Sequence, residues 1–136
     1  MIESIQKCIP TAEKCGVVLG LENHWGLGIS AKNVKRIIDE VDSPWLRATL
    51  DTGNFLEDRD NQIQTLAPYA CLVQAKTYYG GGVWYSLDID YNKIGKVMRD
   101  NNYKGYISLE FEGNEDPDTA VPKSLKLLRD NFYYNI

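Results

Sequence analysis

The chain has 136 residues, a net charge of −4 and a pI near 5.0. A domain of about 150 residues buries roughly 68 to 70% of its unfolded surface, so this length predicts one domain, residues 1–136, with a real hydrophobic core. The acidic balance argues against a nucleic-acid partner, because such binders carry clustered lysine and arginine.

The cysteine content indicates a reduced protein. Cys8, Cys15 and Cys71 are odd in number and lack CxxC spacing, so neither a disulfide framework nor a zinc knuckle is indicated. We therefore expect a cytoplasmic location. The N-terminal stretch has no basic region followed by an apolar segment, and no run approaches 18 apolar residues. The sequence as given therefore predicts no export signal, no membrane span and no membrane partner.

Helical and strand-like segments alternate along the chain. Residues 2–15 have helical spacing, with a kink or restart expected at Pro10. Residues 17–23 form an apolar run typical of a strand buried on both faces, and Ser30 can cap the next helix. The later segments are a strand at 46–53, a helix at 61–67, a strand at 71–79, a flexible glycine loop at 80–82, a helix capped by Asp90, a strand at 105–113 and a helix at 118–132 whose apolar face is Val121, Leu125, Leu128 and Phe132.

This order is one helix followed by four strand–helix repeats. Such alternation is typical of an α/β fold with a parallel sheet and crossover helices. Ligands of these folds lie at the carboxyl ends of the strands, and in a β/α barrel alternate side chains of each strand point inward.

Polar side chains stand at the end of every predicted strand, on the inward parity. They are Glu22 with His24, Asp51 preceded by Thr49, Gln74 with Lys76, and Glu110 with Glu112. The opposite parity is apolar, with Leu19, Leu21, Ala48, Leu50, Val73, Ala75, Leu109 and Phe111. We therefore expect the four strand ends to converge on one site.

Several carboxylates at adjacent strand ends repel one another unless a positive charge lies between them. A divalent cation meets this need. Carboxylate and amide oxygens suit Mg²⁺ or Mn²⁺, and a nearby imidazole shifts the preference toward Zn²⁺ or Co²⁺. A metal held by two glutamates also places carboxylates beside a substrate, where one can take a proton from a carbon next to a carbonyl and the other can return it.

Four stretches carry a family resemblance: LENHWG, LDTGNF, VQAKT and the block from Gly105 to Arg129. Together they resemble the C-terminal half of the sugar phosphate isomerase/epimerase group, the xylose isomerase-like TIM barrels. The resemblance implies a parallel (β/α)4 half of such a barrel. It also implies four metal ligands, one from each of the last four barrel strands, and an acid/base pair of two glutamates. The ligands fall on Glu22, Asp51, Gln74 and Glu110, and the acid/base pair on Glu22 and Glu110.

Two departures from the family pattern bear on the site. Gln74 stands where the family has a histidine ligand, so the identity of the metal, among Mn, Mg, Zn and Co, and its presence are open. Asn54 stands where many relatives carry a histidine that contacts substrate.

Other roles at the site are expected from position. Glu112 is expected to contact the metal ligands without binding the metal itself, or to be a plain rim residue. Lys76 is either a substrate contact or an ion-pair partner of the carboxylates. The expected substrate contacts are His24, Trp25, Asn54 and Lys76.

The length sets a further expectation, because a full barrel of this kind has about 250 residues. A sheet of four parallel strands leaves two unpaired edges. Either two copies close into one barrel about a twofold axis, or the chain is a fragment that lacks an N-terminal half.

These observations predict a divalent-metal-dependent isomerase or epimerase of a small sugar or polyol, with a lyase as a variant. The alternative is a catalytically silent truncated barrel or a carbohydrate-binding domain. Endonuclease relatives of this barrel use a histidine-rich zinc cluster, and the single histidine argues against that option.

Overall fold

The computed structural model describes residues 1–132, in which four parallel strands alternate with α-helices. Residues 133–136 of the predicted domain lie outside the described residues. The strands are β1 (Leu19–Glu22), β2 (Leu46–Asp51), β3 (Ala70–Thr77) and β4 (Tyr106–Phe111). The helices are α1 (Ile2–Cys15), α2 (Ala31–Val41), α3 (Arg59–Leu66), α4 (Tyr91–Asp100) and α5 (Pro117–Phe132), with short 3-10 turns at Gly26–Gly28 and Ala67–Tyr69. The predicted order of elements is confirmed, and each strand ends one or two residues earlier than predicted.

The sheet has the strand order β1-β2-β3-β4, and every neighbouring pair is parallel. Asp51 pairs with Gln74, and Lys76 pairs with Glu110. Each connection crosses over through a helix, as parallel neighbours require. The fold is therefore a (β/α)4 half of a TIM barrel, and the carboxyl ends of its strands share one rim.

The two faces of the sheet differ in burial. Side chains of the helix-facing parity are fully buried in one core with residues of α2, α3, α4 and α5: Ala48, Leu50, Val73 and Ala75. The other face is unevenly covered: its Tyr106 is 86% exposed, whereas Asp51 and Lys76 near the carboxyl ends of their strands are buried. β1 and β4 are edge strands, and within residues 1–132 nothing extends the sheet beyond them. Within the described residues, no other element covers the inner face of the sheet or pairs with either edge strand.

Local signals at the helix starts act as predicted. The Ser30 hydroxyl accepts a hydrogen bond from the backbone N–H of Asn33 at 3.3 Å, and the Asp90 carboxylate accepts one from Lys93 N at 3.1 Å. These bonds satisfy backbone donors that the first helical turn leaves free. No helix of the described part of the chain has the length and hydropathy needed to cross a lipid bilayer.

The expectation of a restart at Pro10 is wrong, because α1 continues through this residue to Cys15. A proline leaves the carbonyl four residues earlier, that of Gln6, without its helical hydrogen bond. Both residues lie on the exposed side of α1, where water can satisfy that carbonyl.

The buried face of α5 differs by one position from the predicted face. Ala120, Ser124, Leu128 and Phe132 are buried, whereas Val121 and Leu125 are only partly buried. The Ser124 hydroxyl hydrogen bonds Thr77 Oγ1 at 2.7 Å and donates to the Ala120 carbonyl at 2.8 Å. A serine with both partners inside can occupy a core position that hydrophobicity alone does not assign to it.

The glycine loop after β3, expected to be flexible, hydrogen bonds the chain that follows β4. Val83 N donates to the Glu112 carbonyl at 3.0 Å, and Asn114 N donates to the Gly81 carbonyl at 2.9 Å. Gly80 and Gly81 have positive φ values of 77° and 81°, which glycine adopts without strain. Of the aromatic residues that follow this loop, Tyr85 reaches the rim, whereas Trp84 is 83% exposed.

Candidate active site

Lys76 is the centre of the polar network at the rim. It projects from β3 on the inward parity and is 4% exposed. Its Nζ lies 2.9 Å from Glu112 Oε1 and 3.1 Å from Asn54 Oδ1. The same atom lies 3.7 Å from Glu110 Oε2 and 3.8 Å from Asp51 Oδ2. Lys76 therefore supplies a positive charge among the carboxylates that gather here.

The charge of Lys76 is stable in this setting. Burial alone would lower the pKa of Lys76, because it disfavours the ammonium form. The hydrogen bond to Glu112 and the negative charges of Asp51 and Glu110 outweigh that effect and raise the pKa above its ordinary value. The lysine is thus an ion-pair partner rather than a base.

Asp51 ends β2 and is completely buried. Its Oδ1 accepts hydrogen bonds from the backbone N–H groups of Gly53 at 2.7 Å and Asn54 at 2.9 Å, whereas its Oδ2 accepts none from the described residues. Burial raises the pKa of Asp51 to about 7, against the opposing effects of the Gly53 N–H and the Lys76 charge. Oδ2 is thus a buried carboxylate oxygen with an unused lone pair that faces the network.

Asn23 fixes the backbone of Asp51 and was missed by the sequence reasoning. Its amide nitrogen donates to the Asp51 carbonyl at 2.9 Å, and its amide oxygen accepts from Asp51 N at 2.7 Å. Position 23 shares the helix-facing parity of Leu19 and Leu21, so an asparagine there is a polar residue at a core position. This mismatch between residue type and position is the signal that could have identified Asn23 as a structural part of the site.

The remaining predicted ligands join the same network through amide groups. Asn54 Nδ2 donates to Glu22 Oε1 at 3.2 Å, so Asn54 connects β1 to Lys76. Gln74 Nε2 donates to Glu110 Oε2 at 2.5 Å, which connects β3 to β4. Glu22, Asp51, Gln74 and Glu110, from four successive strands, are therefore linked by one set of hydrogen bonds and ion pairs.

Gly53 lets Lys76 pass close to the backbone. A Cβ at this position would lie 2.5 Å from the hydroxyl of Tyr78 and 2.7 Å from Cδ of Lys76. Both distances are below 3.0 Å, which real Cβ atoms essentially never show. The Tyr85 hydroxyl donates to the Gly53 carbonyl at 3.3 Å. Burial, followed by the neighbouring Tyr85, raises the pKa of Tyr78, so this hydroxyl stays protonated. The LDTG motif thus provides space as well as a carboxylate.

A second layer of hydrogen bonds holds the backbone of Lys76. Lys76 N donates to Thr52 Oγ1 at 3.1 Å, and the Tyr91 hydroxyl donates to the Lys76 carbonyl at 2.6 Å. The hydroxyls of Thr52 and Tyr91 are themselves 2.9 Å apart. Sequence reasoning assigned no role to either residue, because their contacts join segments far apart in the chain.

His24 and Trp25 lie at the exposed rim. Their rings meet edge to face with centroids 6.0 Å apart, and Trp25 is 57% exposed. Neither side chain hydrogen bonds the Lys76 network within residues 1–132. The structure thus brings Glu22, Asp51, Asn54, Gln74, Lys76, Glu110 and Glu112 together and leaves these two at the edge.

The candidate ligands match a divalent cation in chemistry, although they are not gathered around one point. Within residues 1–132 no group of three or more histidine, cysteine or acidic side chains is arranged closely enough to hold a metal. The chemistry of the donors nevertheless fits, because carboxylates and a carboxamide are the ligands that hard divalent cations take. The buried Asp51 Oδ2, without a hydrogen bond from the described residues, is the atom that most needs such a partner. These residues therefore suit a divalent cation in two respects: their oxygen ligands are of the right kind, and Asp51 Oδ2 lacks a hydrogen bond from the described residues.

Parallel strands with crossover helices, and acidic and amide side chains at their carboxyl ends, define one half of a β/α barrel with its site at the usual rim. The chain belongs to the family described as xylose isomerase-like TIM barrels, whose model matches residues 1–131.

Comparison with individual proteins agrees with this fold. The inosose dehydratase of Clostridium perfringens is 24% identical over 152 residues, which cover 90% of this chain and 49% of that protein. A 3-keto-D-glucoside 4-epimerase from E. coli superimposes with a TM-score of 0.79 at 21% identity, over 95% of this chain and 52% of that one. A D-psicose 3-epimerase from Clostridium cellulolyticum H10, solved with D-tagatose, gives a TM-score of 0.79 at 20% identity, over 98% and 55%. The chain thus spans about half the length of the relatives it matches.

Proposed function

We propose that the chain carries the metal-binding and proton-transfer half of a divalent-metal-dependent isomerase or epimerase of a small sugar or polyol. The observation that carries the proposal is the single network joining Glu22, Asp51, Gln74 and Glu110 at the ends of four successive strands. The names of similar proteins, a 3-keto-D-glucoside 4-epimerase, a D-psicose 3-epimerase and an inosose dehydratase, support the substrate class.

Glu22, Asp51, Gln74 and Glu110 would hold the cation in this proposal. Bound there, a divalent cation would polarise a carbonyl and so make the neighbouring C–H bond more acidic. The carboxylates favour Mg²⁺ or Mn²⁺, and Zn²⁺ or Co²⁺ are the alternatives if His24 approaches.

The two glutamates are proposed to move the proton. Glu22 ends β1 and Glu110 lies near the end of β4, the two outer strands of the sheet, so their carboxylates approach a bound substrate from different sides. One carboxylate takes the proton from the carbon beside the carbonyl, and the electrons of that C–H bond pass to the carbonyl oxygen. The other, protonated, returns a proton to the opposite face of the same carbon in an epimerase. In an isomerase the proton goes to the former carbonyl carbon, while the hydroxyl proton of the deprotonated carbon moves to the former carbonyl oxygen.

The substrate is proposed to be held by polar and aromatic groups around the rim. Asn54 and Lys76 present an amide and an ammonium near the carboxylates, where they can bind sugar oxygens. His24 and Trp25 offer an exposed ring surface of the kind on which a sugar face packs.

Exchange of substrate hydrogen with solvent tests this function directly. The chain is incubated in D₂O with Mn²⁺ and a panel of ketopentoses, ketohexoses and keto-inositols, and deuterium at the carbon beside the carbonyl is followed by NMR. We expect exchange that chelator removes and that Glu110→Gln lowers by at least about a hundredfold, because general acid–base catalysis contributes about 10² to 10⁴. Glu40→Gln, at an exposed position of α2, is the matched control. Unchanged exchange in Glu110→Gln would refute the acid/base assignment.

A catalytically silent, carbohydrate-binding half-barrel is the second candidate. Lys76 already neutralises part of the acidic cluster, and Gln74 is a weaker ligand than imidazole. This function predicts sugar binding in the presence of chelator and no deuterium exchange with any metal.

The proposed enzyme also requires a second four-stranded half. The inner face and the edges of β1 and β4 are uncovered within residues 1–132, and a closed barrel of this type has eight strands. Rotation of a second copy about the barrel axis would pair β1 of each copy with β4 of the other, which keeps all strands parallel. Size-exclusion chromatography with light scattering is expected to show a dimer; a stable, well-behaved monomer would contradict self-closure and leave the second half to another polypeptide segment.

A further inference from the structure

The ammonium of Lys76 lies beside the proposed metal ligands and is held there by other residues. It makes hydrogen bonds of 2.9 Å to Glu112 and 3.1 Å to Asn54. Its separations from Asp51 Oδ2 and Glu110 Oε2, 3.8 and 3.7 Å, are too long for hydrogen bonds and leave only charge attraction. The lysine is therefore held by hydrogen bonds to Glu112 and Asn54, and only attracted by the charges of the proposed ligands Asp51 and Glu110.

The backbone of Glu112, the hydrogen-bond partner of Lys76, is held by two hydrogen bonds. Its backbone N–H donates to the Thr77 carbonyl at 3.0 Å, and its carbonyl accepts from Val83 N at 3.0 Å. These bonds clamp the residue after β4 between β3 and the glycine loop. The backbone of Glu112 is thus held in place, and its carboxylate accepts the 2.9 Å hydrogen bond from Lys76.

A divalent cation at this site would compete with the ammonium. Both need the negative charge of Asp51 and Glu110, and like charges a few ångströms apart repel one another. An ammonium that moved onto Asp51 Oδ2 would take the oxygen that the described residues leave free. How far Lys76 is held from that oxygen therefore bears directly on the affinity for metal.

We propose that Lys76 is the resident counter-cation of the metal site and that Glu112 is a positioning residue that keeps its ammonium beyond hydrogen-bond distance of Asp51 Oδ2 and Glu110 Oε2. The two residues together set the affinity of the site for a divalent cation. This inference rests on the metal-dependent function proposed above. It gives Glu112 a defined role, although it is not a ligand itself.

Metal affinity in a double-mutant cycle tests the inference. Mn²⁺ and Zn²⁺ dissociation constants are measured by competition with a chromophoric chelator for the full chain, Lys76→Met, Glu112→Gln and the double variant. We expect Lys76→Met to bind metal at least about tenfold more tightly, since it removes a positive charge near the cation. Glu112→Gln should weaken binding by roughly tenfold, the usual effect of losing a supporting residue. Lys96→Met, an exposed lysine on α4, should change nothing.

The cycle separates the role of Glu112 from its own charge. If Glu112 acts through Lys76, the effect of Glu112→Gln shrinks to within about twofold in the Lys76→Met background. An equally large loss in both backgrounds means that Glu112 attracts the metal by itself, and it overturns the positioning role.

Thermal unfolding gives a second readout that does not depend on activity. Without metal, Lys76→Met should unfold at a lower temperature than the wild type, because the carboxylates lose their counter-charge. Added Mn²⁺ should raise the Tm of Lys76→Met by more than it raises the Tm of the wild type. Lys76→Gln, which keeps a hydrogen-bonding group, replaces Lys76→Met if that variant does not fold. Equal affinity in wild type and Lys76→Met overturns this inference and leaves the metal-dependent function standing. No metal binding in any variant overturns both.

Discussion

The side-chain amide of Asn23 and the backbone of Asp51 form a closed pair of hydrogen bonds, 2.9 Å from Nδ2 to the carbonyl and 2.7 Å from Oδ1 to the N–H. Both residues are completely buried. The pair joins the ends of β1 and β2 at the point where the Asp51 carboxylate enters the site.

Asn23→Ala should destabilise the protein strongly. The change leaves one buried donor and one buried acceptor on Asp51 unpaired, and each such group costs about 1 to 3 kcal/mol. We expect a loss of about 2 to 5 kcal/mol in the free energy of unfolding, measured by urea denaturation. Asn61→Ala, on the exposed face of α3, is the matched control and should stay within about 0.5 kcal/mol. A small loss for Asn23→Ala would show that water replaces the amide.

Tyr91→Phe should loosen the backbone of Lys76. The Tyr91 hydroxyl donates to the Lys76 carbonyl at 2.6 Å and pairs with Thr52, and Tyr91 is buried. Its removal leaves the carbonyl without that donor and should cost about 1 to 3 kcal/mol of stability. Tyr106→Phe, at a position that is 86% exposed, should have no measurable effect. Equal stability of the two variants would contradict the role given to Tyr91.

Gln74→His should tighten metal binding selectively. An imidazole is a better ligand than a carboxamide for Zn²⁺ and Co²⁺ and brings little to Mg²⁺. We expect at least about a tenfold gain for Zn²⁺ and a much smaller change for Mg²⁺, measured by isothermal titration on the same preparation. The Mg²⁺ titration is the internal control. No gain for Zn²⁺ would show that position 74 does not face the metal.

Cys71 should react more slowly than the other two cysteines. Burial raises the pKa of the Cys71 thiol, and the residue lies half-buried in β3, whereas Cys8 and Cys15 are exposed on α1. The thiolate is the reactive form, so at pH 8 alkylation by iodoacetamide should modify Cys8 and Cys15 first, as followed by mass spectrometry of peptides. In denaturant the three rates should become similar. Equal rates in the folded protein would contradict the burial of Cys71.

The spacing of apolar residues and the alternation of side chains along each strand were enough to predict the order of elements and the residues of the inward parity. The apolar positions of β2 and β3 alternate with polar ones, and that alternation correctly assigned Ala48, Leu50, Val73 and Ala75 to the helix-facing core. Local signals also held, since Ser30 and Asp90 cap their helices through bonds that span only three residues. The buried face of α5 was missed by one position, because Ser124 is buried through a hydrogen bond to Thr77 on another element.

By itself the sequence determined which residues reach the rim, because the direction of a strand side chain depends only on its place along its own strand. It indicated that Glu22, Asp51, Gln74, Lys76, Glu110 and Glu112 share one end of one sheet. Which of them touch was decided only by the tertiary structure. Contacts between strands depend on register and on long side chains that cross from one strand to the next. Only these place the ammonium of Lys76 against Glu112 and Asn54 and leave Asp51 Oδ2 without a hydrogen bond from the described residues.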